Sequence, residues 1–164
     1  THAMIEALKA AGLVDAGAVR VRVNPRWLKV CDIKAPRTGL EVKFSYAWLA
    51  AMVLAGIDTA ADVTYRDALA GNPTLAGIAA RVTVAGDAAL ADTATEVEIV
   101  TADGRTIRVA HDLAAPLPPE AVERGLRAKA AALLGAEEAG RLWALVSEAD
   151  RQPVREIGSA LRGS

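Results

Sequence analysis

Few residues in this chain carry side chains that do chemistry, and the densest group of them lies in one stretch, APRTGLEVKFSYAW, residues 35 to 48. Arg37, Thr38, Glu41 and Lys43 stand there directly before the most apolar helix signal in the sequence. A guanidinium, a hydroxyl and an ammonium beside the backbone N–H groups of a helix start could hold a carboxylate. A plainer reading exists. Glu41 would favour a helix N-terminus through the dipole, and Lys43 would run its stem along apolar surface with its amine in water. With the helix starting at Phe44, however, Lys43 falls at its N-terminal end, where a cation opposes the dipole. Local conflicts of that kind collect at functional sites. The spacing leaves both readings open.

The remaining candidates are isolated. His2 opens a helix and His111 ends a strand before Asp112; an imidazole is the commonest acid or base near neutrality, but neither has a partner in the sequence. Cys31, the single cysteine, sits beside Val30 and Ile33 as a small buried hydrophobe would. It excludes an intrachain disulfide, and with two histidines it makes no metal-ligand cluster, so no metal or other cofactor is expected. None of the serines sits in a nucleophile elbow, and no glycine-rich phosphate loop is present.

Composition narrows the class further. The 164 residues, 52% hydrophobic and 24% charged, fit one globular domain spanning 1–164. A net charge of −1 with interspersed signs gives no footprint for nucleic acid or an anionic membrane. No apolar run approaches the roughly 20 residues of a membrane span. A soluble, cytoplasmic protein is the expectation.

The elements that must position these residues follow from periodicity. Met4, Ile5, Leu8 and Ala11 predict a helix over about 3–11 closed by Gly12. VRVRV at 19–23 alternates, with the valines on one face and Arg20 and Arg22 outward. Residues 26–40 have no lasting period and read as an irregular loop. The helix from Phe44 to Gly56 is apolar nearly all round, which means burial on more than one side. Short helical pieces follow near 59–63 and 73–80. Strands are expected over 81–86 and 95–111, the latter region folded about Ala102-Asp103-Gly104. That three-residue turn pairs Ile99 with Ile107 and Val97 with Val109, whereas a two-residue turn would split the apolar faces. After APLPPE, helices are expected over about 119–134, 137–149 and 153–162. With no βαβ alternation, the class is α+β, a mostly antiparallel sheet of about four strands packed with helices.

TGLEVKFSYAWLAAMVLAGI closely resembles the TGLEAKFS segment and apolar helix of the second domain of the MmgE/PrpD family. That family includes 2-methylcitrate dehydratases, cis-aconitate decarboxylases and an iminodisuccinate epimerase. THAMIEAL looks like the family's Thr-His helix. VEIVTADGRTIRVAHDLAAPLPPEAVERGLRAKAAALLG resembles its late hairpin, proline break and following helix, with Lys129-Ala130 where the family usually carries Lys-Phe. The resemblance implies an α+β lid domain whose active-site cleft is completed by a preceding helical domain, absent here, and a homodimer for the complete enzyme. It implies a catalytic or carboxylate-binding role for His2, and binding of a small polycarboxylate by Arg37, Thr38 and Lys43. A chain that begins within a helix is expected to be a piece of something longer and inactive alone. The alternative is a stand-alone interaction or small-ligand module with the same fold.

Overall fold

The computed structural model describes residues 1–149, 151 and 153–161. Two compact units divide them, Thr1–Thr59 with Val63–Ala115, and Ala60–Asp62 with the chain from Pro116 onward.

The first unit is built on a four-stranded sheet. Helix α1 (His2–Ala11) ends at Gly12, whose φ of 78° only glycine adopts cheaply. Strand β1 (Ala16–Val23) buries Val19, Val21 and Val23 and turns Arg20 and Arg22 to solvent, as its alternation predicts. The segment expected to be an irregular loop contains more structure than that. A 3-10 turn over Pro25–Trp27 is capped by the Asn24 side chain, and α2 (Leu28–Cys31) continues from it. Then come α3 (Gly39–Lys43) and α4 (Tyr46–Leu54).

The apolar helix therefore starts at Tyr46, not Phe44. Ser45, fully buried, accepts a hydrogen bond from the Trp48 N–H and closes the N-terminus of α4. Every side chain from Tyr46 to Val53 is buried, so α4 is the centre of the core. Single 3-10 turns at Asp62–Thr64 and Asp67–Leu69 lead to α5 (Pro73–Ala79), capped by Asn72.

Strands β2 (Val82–Gly86), β3 (Ala94–Thr101) and β4 (Thr106–Asp112) complete the sheet in the order β2-β1-β3-β4. Val97 lies opposite Val109 and Ile99 opposite Ile107, with Gly104 at φ 85°, which is the register and the turn that the apolar pattern requires. The pairs β1–β3 and β3–β4 are antiparallel, but β1 and β2 are parallel. The order of elements gives no simple βαβ alternation. Even so, the long passage through α3, α4 and α5 returns the chain as a crossover, which is what a parallel pair needs. The class is α+β with a mostly antiparallel sheet. Helices α1 and α4 pack against the apolar face of the sheet, and the opposite face is polar.

The second unit is helical. Helices α6 (Pro119–Leu134) and α7 (Ala136–Ser147) form a hairpin about Gly135, at φ 85°, and α8 (Val154–Leu161) follows. The last expected helix ran to residue 162, which lies outside the described residues. The Arg127 guanidinium stacks 4.2 Å from the Trp143 ring centroid and pairs with Glu123, which ties α6 to α7. Lys129 Nζ donates to the Ala60 carbonyl at 2.6 Å, fastening the short 60–62 segment to α6. No side chain of α6 is fully buried, and Val122, Leu126 and Leu133 are about half exposed along one stripe. Among the described residues no helix is long and apolar enough to cross a membrane.

Candidate functional site

The segment Gly39–Lys43 is a helix of its own, α3, and this changes the meaning of each residue in and beside it. Thr38 is the N-cap: its Oγ1 accepts from the Glu41 N–H at 3.2 Å. The Glu41 carboxylate reaches back to the Arg37 backbone N–H at 2.6 Å, and the Arg37 guanidinium approaches its other oxygen at 3.4 Å. Thr-x-x-Glu is the capping-box pattern, displaced by one residue at its reciprocal bond. The bond from the Arg37 N–H is the main reason the Glu41 carboxyl titrates below its usual range; burial pushes the other way.

Lys43 lies in the last turn of α3, not the first turn of α4. A cation there complements the dipole, so the conflict expected from a helix starting at Phe44 does not arise. Lys43 is half-buried, and its ammonium sits 4.7 Å from the centroid of the Tyr65 ring. Tyr65 is itself fixed through its hydroxyl, which donates to the Thr59 carbonyl at 3.0 Å.

The corner is closed by backbone contact. A Cβ placed on Gly39 would fall 2.0 Å from the Tyr65 carbonyl oxygen and 2.4 Å from its carbon. The Gly39 N–H donates to Asp67 Oδ1 at 2.9 Å. Residues 65–67 thus lie directly on the start of α3, and only glycine fits at position 39. The amides at this helix start do not form the exposed carboxylate-binding corner that the sequence allows. Those of Gly39 and Glu41 are taken by Asp67 and Thr38. An anion here would be held by side chains.

Arg37 and Thr38 lie at the N-terminal end of α3, and Lys43 is its last residue. The Arg37 side chain is 86% exposed, which leaves most of its guanidinium open to solvent beyond the Glu41 contact. His2 is exposed at the first position of α1, where it makes contacts of its own. Cys31 is a free, buried thiol. Burial first, then Cys31 and Asp32, push the Tyr46 hydroxyl far above its usual range, so it stays protonated. Asp32 and Ser45 form a single β-bridge, and the Ile33 N–H donates to the Phe44 carbonyl at 3.1 Å. The loop after Cys31 is thereby pinned to the α3–α4 junction. His111 is half-buried on the edge strand β4, beside an Asp112 carboxyl held below its usual range by Thr93. Among the described residues no three His, Cys, Asp or Glu side chains are placed to hold a metal ion.

Asp67 and Tyr65 were not legible as part of this corner. The Thr-x-x-Glu pattern could have shown the cap, but nothing local marks an aspartate 28 residues downstream of Gly39. A concave region of about 510 Å³ lies on the polar face of the sheet between Arg20, Arg22, Glu96, Glu98 and Arg108, and none of the residues of the α3 corner lines it. Compared with known proteins, the chain matches no family model and no curated sequence.

Proposed function

We propose that this chain is the C-terminal lid portion of an MmgE/PrpD-type enzyme acting on a small polycarboxylate, a cytoplasmic homodimer when complete. The observation that carries the reading is the α3 corner. TGLEVKFS, the most specific part of the resemblance, folds into an internally capped turn that sets Lys43 over the Tyr65 ring and leaves the Arg37 side chain largely exposed.

In this reading the lid supplies cations and the preceding helical domain supplies most of the acid and base groups. Lys43 and Arg37 hold carboxylates by charge-assisted hydrogen bonds, with the Thr38 cap fixing the backbone between them. His2 lies at the cleft edge as a general acid or base, or as a donor to a substrate carboxylate. In a dehydratase a proton next to a carboxylate is removed and water is expelled; in a decarboxylase the C–CO2 bond breaks and a proton is delivered to the carbon that receives the electron pair; in an epimerase the abstracted proton is returned to the other face. One wall of a cleft can neither exclude water nor orient a base, so the chain alone is expected to be silent. The half-exposed apolar stripe on α6 agrees with a domain that buries more surface in a larger protein. Turnover of 2-methylcitrate, cis-aconitate or iminodisuccinate by this chain joined to a helical partner domain, and not by this chain alone, is the test.

A further inference from the structure

The polar face of the sheet has an order that neither the fold nor the α3 corner requires. Register places Arg20 opposite Glu98 and Arg22 opposite Glu96, so β1 carries arginines where its neighbour β3 carries glutamates. The pairs are closed: Arg20 to Glu98 at 3.4 Å, and Arg22 to Glu96. Arg108 on β4 adds a second guanidinium to Glu98 at 2.8 Å, and Arg22 also reaches Asp87 at 2.9 Å. Opposite charges directly across a ladder help to fix strand register. That role satisfies the carboxylates but leaves the arginines extended into water. Arg20 is 74% exposed, Arg108 77% and Arg22 53%.

The charges of β1 and β3 are antisymmetric about the line between them, while Arg108 on β4 stands at the level of Thr83 on β2. A two-fold axis along that line, lying between two stacked faces, carries the arginine column of one copy onto the glutamate column of the other. Arg20 then faces Glu98 of a second copy, and Arg22 faces Glu96. Ala85 on β2 faces Ala110 on β4, small against small, since β2 and β4 exchange places. A two-fold perpendicular to the strands would instead set arginine on arginine and glutamate on glutamate. The face is thus its own complement in one orientation, as an isologous interface requires.

We propose that this sheet face is a self-association surface, on which a second copy of the chain docks about a two-fold axis parallel to the strands. The concave region of about 510 Å³ on each face is filled by the extended arginine side chains of the other. Each carboxylate then accepts from guanidinium groups of both copies. The face is small, four strands spaced about 4.8 Å apart, so the contact falls in the weak, salt-sensitive class of interface. It stands independently of the lid reading, because no residue of the α3 corner takes part.

Charge exchange tests it. Sedimentation velocity on the full chain should show dimer at low ionic strength, weakened on the order of tenfold in high salt. Arg20→Glu with Arg22→Glu makes both columns acidic, and Glu96→Arg with Glu98→Arg makes both basic. Each variant alone should be monomeric, and an equimolar mixture of the two should dimerise again. Circular dichroism checks that each is folded. Should either fail to fold, Arg20→Gln with Arg22→Gln removes charge without reversing it, and must also weaken the dimer. A chain monomeric at all concentrations in low salt would overturn the proposal. So would a dimer indifferent to these substitutions, which would place association on apolar surface such as the α6 stripe, and so would folded reversal variants that fail to recombine.

Discussion

The carbonyl oxygen of Tyr65 lies where a side chain on Gly39 would begin, 2.0 Å from the position of its Cβ. The TGLEVKF segment and the 65–67 strip are therefore a single packed object, and the orientation of Lys43 depends on it.

Gly39→Ala should be costly for this reason alone. The obstructing atoms are backbone on both sides, so relief requires moving α3 off residues 65–67. A loss of about 2–4 kcal/mol is expected, within the upper range of single substitutions. Urea unfolding of the purified variant measures it.

Gly104→Ala gives the contrast. This glycine has φ 85° in the β3–β4 turn, and a Cβ there meets nothing within 4 Å. Only the left-handed backbone resists the methyl group, at a cost of about 1 kcal/mol. If the two alanine variants lose equal stability, steric closure at Gly39 is not what holds the corner.

Acid should weaken the α3 cap. Because the native Glu41 carboxyl titrates below its usual range, the unfolded chain takes up that proton first as the pH drops. The stability the carboxylate supplies is complete above the ordinary range near pH 4 and drains away as the pH falls through the lower native value. Melting temperatures of the wild type and Glu41→Gln should differ at pH 7 and converge below about pH 4. A constant gap down to pH 3 would mean the contact is not a titrating cap.

Lys43→Met separates binding from packing. The stacking of the ammonium on Tyr65 is worth about 0.5–1 kcal/mol, a small loss of stability. If Lys43 also holds a substrate carboxylate, the complete enzyme should show a Michaelis constant raised on the order of tenfold with its fold intact. Unchanged kinetics would leave Lys43 a packing residue.

Much of the sheet was legible because period-2 patterns allow few registers. Ile99, Ile107, Val97 and Val109 can share a face only with a three-residue turn, and the structure has that turn. The parallel pairing of β1 with β2 was not legible, since strand polarity depends on how far the chain travels between partners and not on either strand. The start of the apolar helix was misplaced by two residues. Phe44 continues the apolar run, but Ser45 caps, and the chain must break there for the bridge to Asp32. The site divides in the same way. Arg37, Thr38 and Lys43 are neighbours in sequence, whereas Tyr65 and Asp67 join this segment only through the fold.

In the function proposed above, these residues form the lid of a two-part active site. The most direct measurement is turnover of 2-methylcitrate, cis-aconitate and iminodisuccinate in two arms, this chain alone and this chain joined to a helical partner domain. Activity on one of the three is expected in the joined protein, and none in the chain alone. A folded joined protein that turns over none of them, or a chain that is equally active by itself, would contradict it.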